Sequence, residues 1–150
     1  MDRRDLPSGA HCAIGRAADR IRLIAAAEIY PAREPGIAVR FVPVHDGVRL
    51  RVLEAGLREG RPIVLLHGWG ASVYSYRAAI PPLAAAGFRV IAAELPGHGL
   101  SDKPPELEQY TREAMIAAAN ALLDALDVRD AVVVGVSMGG AIAAGLAIEH

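Results

Sequence analysis

Ser137 is the side chain with the most to offer chemically. It sits in Gly135-Val136-Ser137-Met138-Gly139, a G-x-S-x-G pattern followed by one more glycine, Gly140. Upstream, Ala131 to Val134 is a β-branched apolar run of the kind found in a strand covered on both faces. Downstream, Met138 to Ile148 has the small-residue texture of a helix, with no linker between the two. A chain can pass from strand to helix over so few residues only with a strained backbone at the corner and neighbours of minimal size. Gly135, Gly139 and Gly140 meet that need. A serine at such a corner stands clear of the sheet, at a helix N-terminus whose free N–H groups favour developing negative charge. The chemistry implied is nucleophilic attack by a hydroxyl. The plainer alternative is a tight corner with an incidental serine. A dinucleotide-binding turn fits poorly, because G-x-G-x-x-G would need glycine where Ser137 stands.

A second stretch supports the first. Ile63-Val64-Leu65-Leu66 is an apolar run that ends abruptly at His67-Gly68-Trp69-Gly70. Glycines at a strand end let main-chain N–H groups point into a site, so Gly68 and its neighbours read either as an oxyanion-binding loop or as a simple turn into the next helix. The presence of Ser137 favours the oxyanion reading.

The elements that must position these residues follow from the same kind of reading. Ile37 to Val44 and Val48 to Leu53 are strand-like, and His45-Asp46-Gly47 between them predicts a hairpin. Within the second run, Val48, Leu50 and Val52 alternate with Arg49 and Arg51, which predicts a half-solvated antiparallel strand. Ser72 to Ala86 predicts a helix in two pieces, divided by Pro81 and Pro82 and stopped at Gly87. Phe88 to Ala93 predicts a strand, and Glu94 to Pro104 a loop dense in turn residues. Thr111 is a candidate N-cap for a helix with Met115, Ala119, Leu122 and Leu126 along one stripe. Strands separated by helices of this length call for parallel pairing, so the expected fold class is α/β: a mostly parallel sheet with an antiparallel N-terminal hairpin and helices on both faces. Ligands of such sheets bind at the carboxyl ends of the strands, where both glycine-rich loops and Ser137 fall.

Composition narrows the functional classes. The chain has 150 residues and a formal net charge of −1, enough for one domain and without the basic stretches that would suggest nucleic acid or an anionic membrane surface as partner. No apolar run reaches the length of a membrane span. A single cysteine, Cys12, rules out an internal disulfide and fits a reducing, cytoplasmic location. The histidines and carboxylates show no metal-ligand spacing, and acyl transfer by a serine needs no cofactor. Residues 1–36 carry no motif and read as an extension of unknown role, with a partial helix over Arg16 to Tyr30 that Pro31, Pro35 and Gly36 break. The domain proper is expected over residues 37–150.

Three stretches, LLHGWGAS from Leu65, ELPGHGLSDKP from Glu94 and VVVGVSMGGAIA from Val132, resemble the α/β-hydrolase family in order and spacing, from about Phe41 to the last residue. The resemblance implies that Ser137 is the nucleophile and that the main-chain N–H groups of Trp69 and Met138 form the oxyanion hole. It implies a small-molecule acyl substrate. Serine at the elbow, where aspartate would mark haloalkane dehalogenases and epoxide hydrolases, points instead to esterases, carbon–carbon bond hydrolases, peptidases and cofactor-free haloperoxidases. Glu94 stands where the family usually has aspartate and Val136 where histidine is frequent, and both read as local packing variants. His67 and His98 read as loop and packing residues. Trp69 and Val73 suggest an apolar acyl pocket or ordinary packing.

The family's acid and histidine come from later strands, and only thirteen residues follow Ser137. At about 1.5 Å per helical residue, His150 would lie roughly 20 Å from the serine, too far for a base. The expectation is therefore the N-terminal part of a serine hydrolase, truncated after the elbow helix, with acid and histidine outside this sequence. The alternative is a non-catalytic, truncated hydrolase-like module. Ending there also leaves the strand at Val132 to Val134 as an open edge, which predicts self-association.

Overall fold

The computed structural model describes residues 29–32 and 34–149. The helix expected over Arg16 to Tyr30 lies almost wholly outside these residues, as do Cys12 and His150. Ile29 and Tyr30, at its expected end, form a bend and a turn.

Five strands form one mixed sheet: β1 (Ile37–Pro43), β2 (Arg49–Gly56), β3 (Pro62–Leu66), β4 (Arg89–Ala93) and β5 (Val132–Gly135), in the order β1-β2-β4-β3-β5. β1 pairs antiparallel with β2 and β2 antiparallel with β4, whereas β3 is parallel to both β4 and β5. The hairpin turn works as its residues suggest. Asp46 and Gly47 both take positive φ, 52° and 74°, the twist that a tight hairpin needs and that Asp and Gly tolerate best.

Among the described residues, three α-helices flank the sheet: α1 (Ile80–Ala85), α2 (Arg112–Ala125) and α3 (Met138–Glu149). Alternation along the strands divides the core in two. Val64, Leu66, Ile91 and Ala93 face one layer with Met115, Ile116, Ala119 and Leu122 of α2 and Ile142 and Leu146 of α3. Ile63, Leu65, Val90 and Ala92 face the other, with Val73, Tyr76 and Ile80. The two-piece helix is present as a short 3-10 turn at Val73–Tyr76 followed by α1, with the two prolines in its first turn, where their missing N–H groups cost nothing. The Thr111 hydroxyl caps α2 by accepting from the Ala114 N–H at 3.2 Å.

One expectation is overturned. β2 is an interior strand, hydrogen-bonded on both sides, and its second face is solvated only at its start, where Arg49 is exposed. Leu53 and Ala55 are buried there, and so is Arg51, at 4% exposure. Alternating charge in the sequence suggested a wet face. The charge is instead buried against a partner that lies 43 residues away in the chain.

Candidate active site

Because β3, β4 and β5 run parallel, their carboxyl ends meet at one edge of the sheet. The segments that follow them, at His67, Glu94 and Val136, share that edge. The corner after β5 is as tight as its glycines suggest. A side chain on Gly135 would run into the backbone of Gly139 and Gly140, and one on Gly139 would strike the carbonyls of Leu66 and His67. The first turn of α3 therefore sits directly on the end of β3. Ser137 takes φ 53°, a left-handed conformation disfavoured for residues with a Cβ. Its side chain is exposed. Met138 is the first residue of α3, so its N–H has no intrahelical partner.

Gly68 lies against this corner. A Cβ built on it would be 3.4 Å from the Ser137 Cβ and 3.2 Å from the Val136 carbonyl oxygen. The Val136 N–H donates to the Leu66 carbonyl at 3.2 Å, and the Tyr76 hydroxyl donates to the same oxygen at 2.8 Å. The end of β3 is thus held by two donors, one from the chain leaving β5 and one from the Tyr76 side chain. Among the described residues the Trp69 N–H makes no backbone hydrogen bond. Ser137, Gly68, Trp69, Met138 and the elbow glycines Gly135, Gly139 and Gly140 accordingly come together at one end of the sheet. The Trp69 ring is 73% exposed and meets His98 edge-on, with centroids 5.4 Å apart. Val73 is a core residue, so of the two apolar candidates only Trp69 borders open space.

The loop after β4 contains residues whose roles the sequence did not reveal. Glu94 is not a packing variant. Its carboxylate pairs with Arg51 at 3.0 Å, with both side chains buried, and accepts from the Leu100 N–H at 2.6 Å. Ser101 closes the arrangement, its hydroxyl donating to the Glu94 carbonyl at 2.6 Å and accepting from the Arg51 N–H at 2.8 Å. Gly99, at φ 51°, leaves room for the carboxylate, which a side chain there would strike. Arg49 grips Asp102 through two guanidinium bonds of 3.0 Å and holds its carboxyl below the usual carboxylate range. Val136 is not a packing variant either, being 56% exposed beside the serine. The one sequence signal for this hub was a carboxylate directly at a strand end among glycines. Nothing local identified Arg51 as its partner.

His67 is fully buried. Its Nδ1 is 2.8 Å from the Gly68 carbonyl oxygen, and its Nε2 accepts from the Leu95 N–H at 3.1 Å. Burial, more than any other influence, pushes the imidazole below its ordinary value, with His98 adding to the effect. His98 directs Nδ1 to the Pro96 carbonyl at 2.9 Å. Neither histidine is bonded to Ser137, in keeping with the loop and packing roles expected of them. No cluster of potential metal ligands occurs among the described residues, and no helix there is long and apolar enough to cross a membrane.

The sequence pattern of the alpha/beta hydrolase fold matches residues 61–150. Bifunctional epoxide hydrolase 2 of Rattus norvegicus is 36% identical over 120 residues, which are 80% of this chain and 21% of that protein. A haloalkane dehalogenase of Psychrobacter cryohalolentis is 40% identical over 103 residues, 69% of this chain and 34% of that one. The crystal structure of epoxide hydrolase A from Mycobacterium thermoresistibile is 35% identical, with a TM-score of 0.69 over 74% of this chain and 34% of its own. The chain thus spans from about a fifth to about a third of the length of these relatives. Their names are those of the two groups from which serine at the elbow points away. Likeness spread over a scaffold and the identity of one reacting side chain are separate properties. The chain belongs to the alpha/beta hydrolase fold family.

Proposed function

We propose that this chain carries the nucleophile and the oxyanion-binding amides of a serine hydrolase acting on an ester or a related acyl bond. The observation that carries the reading is Ser137 itself, exposed at φ 53° on a strand-to-helix corner with Gly68 packed beside it. In this reading the Ser137 hydroxyl oxygen adds to the substrate carbonyl carbon while its proton passes to a general base. The N–H groups of Trp69 and Met138 bind the resulting oxyanion. Collapse expels the alcohol, protonated by the same base, and water then hydrolyses the acyl-serine. One preorganised oxyanion donor in such a site is worth roughly a hundredfold to a thousandfold in rate.

Chemistry favours acyl transfer over the reactions named for the relatives. A serine oxygen opening an epoxide, or displacing a halide, would leave an ether, which has no carbonyl for water to attack, and turnover would stop there. A base within about 3 Å of the hydroxyl is also required. In this reading the base and its acid are supplied from outside this sequence; that His67 has both ring nitrogens engaged and that neither His67 nor His98 is bonded to Ser137 is the specific support for the second reading, a non-catalytic hydrolase-like module.

Wild type and Ser137→Ala of the full-length protein, compared on p-nitrophenyl acetate, test the proposal. The expected result is a serine-dependent rate together with an acetyl group on Ser137 by mass spectrometry. Equal rates and no adduct would leave the non-catalytic module. Serine-dependent turnover of styrene oxide would overturn the acyl assignment.

A further inference from the structure

His67 makes two hydrogen bonds that between them fix its chemical form. The Gly68 carbonyl oxygen can only accept, so the ring nitrogen 2.8 Å from it, Nδ1, must carry the proton. The Leu95 N–H can only donate, so Nε2, 3.1 Å away, must be bare. The ring is therefore a neutral Nδ1–H tautomer bridging two loops, the one after β3 and the one after β4.

The consequence lies one peptide further on. The Gly68–Trp69 peptide is trans and planar, so its C=O and N–H point in opposite directions. A donor that holds the Gly68 carbonyl towards the buried imidazole turns the Trp69 N–H away from it. A Cβ added to Gly68 would come within 3.4 Å of the Ser137 Cβ and 3.2 Å of the Val136 carbonyl oxygen, so the orientation of this peptide is set immediately beside the serine. Leu95, which fixes the tautomer, directly follows Glu94, whose carboxylate is held by Arg51 and by the Leu100 N–H.

We infer that His67 is a positioning residue: as a neutral Nδ1–H imidazole locked by the Leu95 amide, it aims the Trp69 N–H at the Ser137 site without touching substrate. This deepens the serine-hydrolase reading and rests on it for its catalytic consequence. Burial, the largest influence, and the neighbouring His98 lower the ring's pKa, while the Gly68 carbonyl and Glu94 act in the opposite direction.

Side-chain length allows the two bonds to be separated. His67→Asn places an amide N–H where Nδ1–H stood and keeps the Gly68 bond. His67→Gln reaches the position of Nε2 and keeps the Leu95 bond. In the full-length protein, nitrogen NMR of 15N-histidine is expected to show His67 protonated on Nδ1 and bare on Nε2 at about pH 8, and titrating below the ordinary histidine range. The Trp69 backbone amide resonance is expected to stay in place in His67→Asn and to move in His67→Gln. The serine-dependent rate on p-nitrophenyl acetate is expected to fall about 100-fold in kcat in His67→Gln, with KM little changed, and to be largely kept in His67→Asn. A proton on Nε2, or a Trp69 amide that responds equally to the two substitutions, overturns the inference. If Ser137→Ala leaves the ester rate unchanged, the serine reading fails, and the tautomer and the Trp69 amide decide the role of His67 without it.

Discussion

At the scale of single residues, Ser137 combines strain with exposure. A residue bearing a Cβ in the left-handed region costs about 1–2 kcal/mol relative to the right-handed helical conformation, and glycine avoids most of that cost. Ser137→Gly is therefore expected to raise stability by about 1 kcal/mol in urea titration while removing any serine-dependent hydrolysis; lower stability would mean that the hydroxyl itself supports the corner. His67 gives a pH dependence whose sign follows from its burial. Its folded value lies below the ordinary 6.5, so on acidification the unfolded chain takes up the proton first. The stability it contributes is complete above about pH 7 and is lost as pH falls through 6.5 towards the folded value. Urea midpoints measured from pH 7.5 to 5.5 should fall, and His67→Asn should flatten the decline.

At the scale of elements, the loop after β4 depends on one buried ion pair. Arg51 lies on the interior strand β2, and its guanidinium reaches both Glu94 and the Tyr30 carbonyl, so the same side chain ties the segment before β1 to the loop after β4. Removing one partner leaves an uncompensated buried charge. Arg51→Leu is expected to cost about 3–5 kcal/mol, and Arg51→Leu combined with Glu94→Gln to cost less than Arg51→Leu alone. A double variant no more stable than the single one would show that the Glu94 charge is not what the guanidinium neutralises. The helices rest on simpler physics. Gly145 brings α3 close enough to α2 that a side chain there would meet Ile116, so the two helices pack over one apolar layer.

At the scale of the whole molecule, the sheet is covered unevenly. β1 closes one side, with Arg40 paired to Glu54 across the hairpin and Arg49 stacked on Phe41 at 5.8 Å, and charges of this kind protect an edge. β5 closes the other and has no such protection: Val132 and Val134 are exposed along it and Val136 just beyond its end. The chain on its own is expected to self-associate through this edge, and Val134→Lys to suppress the association in sedimentation. A monodisperse wild-type monomer would remove the expectation.

Local chemistry determined much of this protein. The G-x-S-x-G corner, the Asp46-Gly47 turn, the Thr111 cap, the order of the elements and the parallel pairing of β3 with β4 and β5 all follow from periodicity and from residues that act on their immediate neighbours. The same reading placed Ser137, Gly68, Trp69 and Met138 at one end of the sheet, because parallel strands bring their carboxyl ends together. Only the tertiary structure decided the fates of Arg51, Glu94 and His67. Alternation along β2 signalled a solvated face, and it failed at Arg51 because the layer with Val73, Tyr76 and Ile80 covers the residues that follow on that face, and a buried guanidinium must find a carboxylate. Glu94 and His67 gave no periodic signal at all. Their roles rest on bonds to Arg51 and Leu95, 43 and 28 residues away in sequence, and such pairs are chosen by the folded geometry rather than by any pattern along the chain.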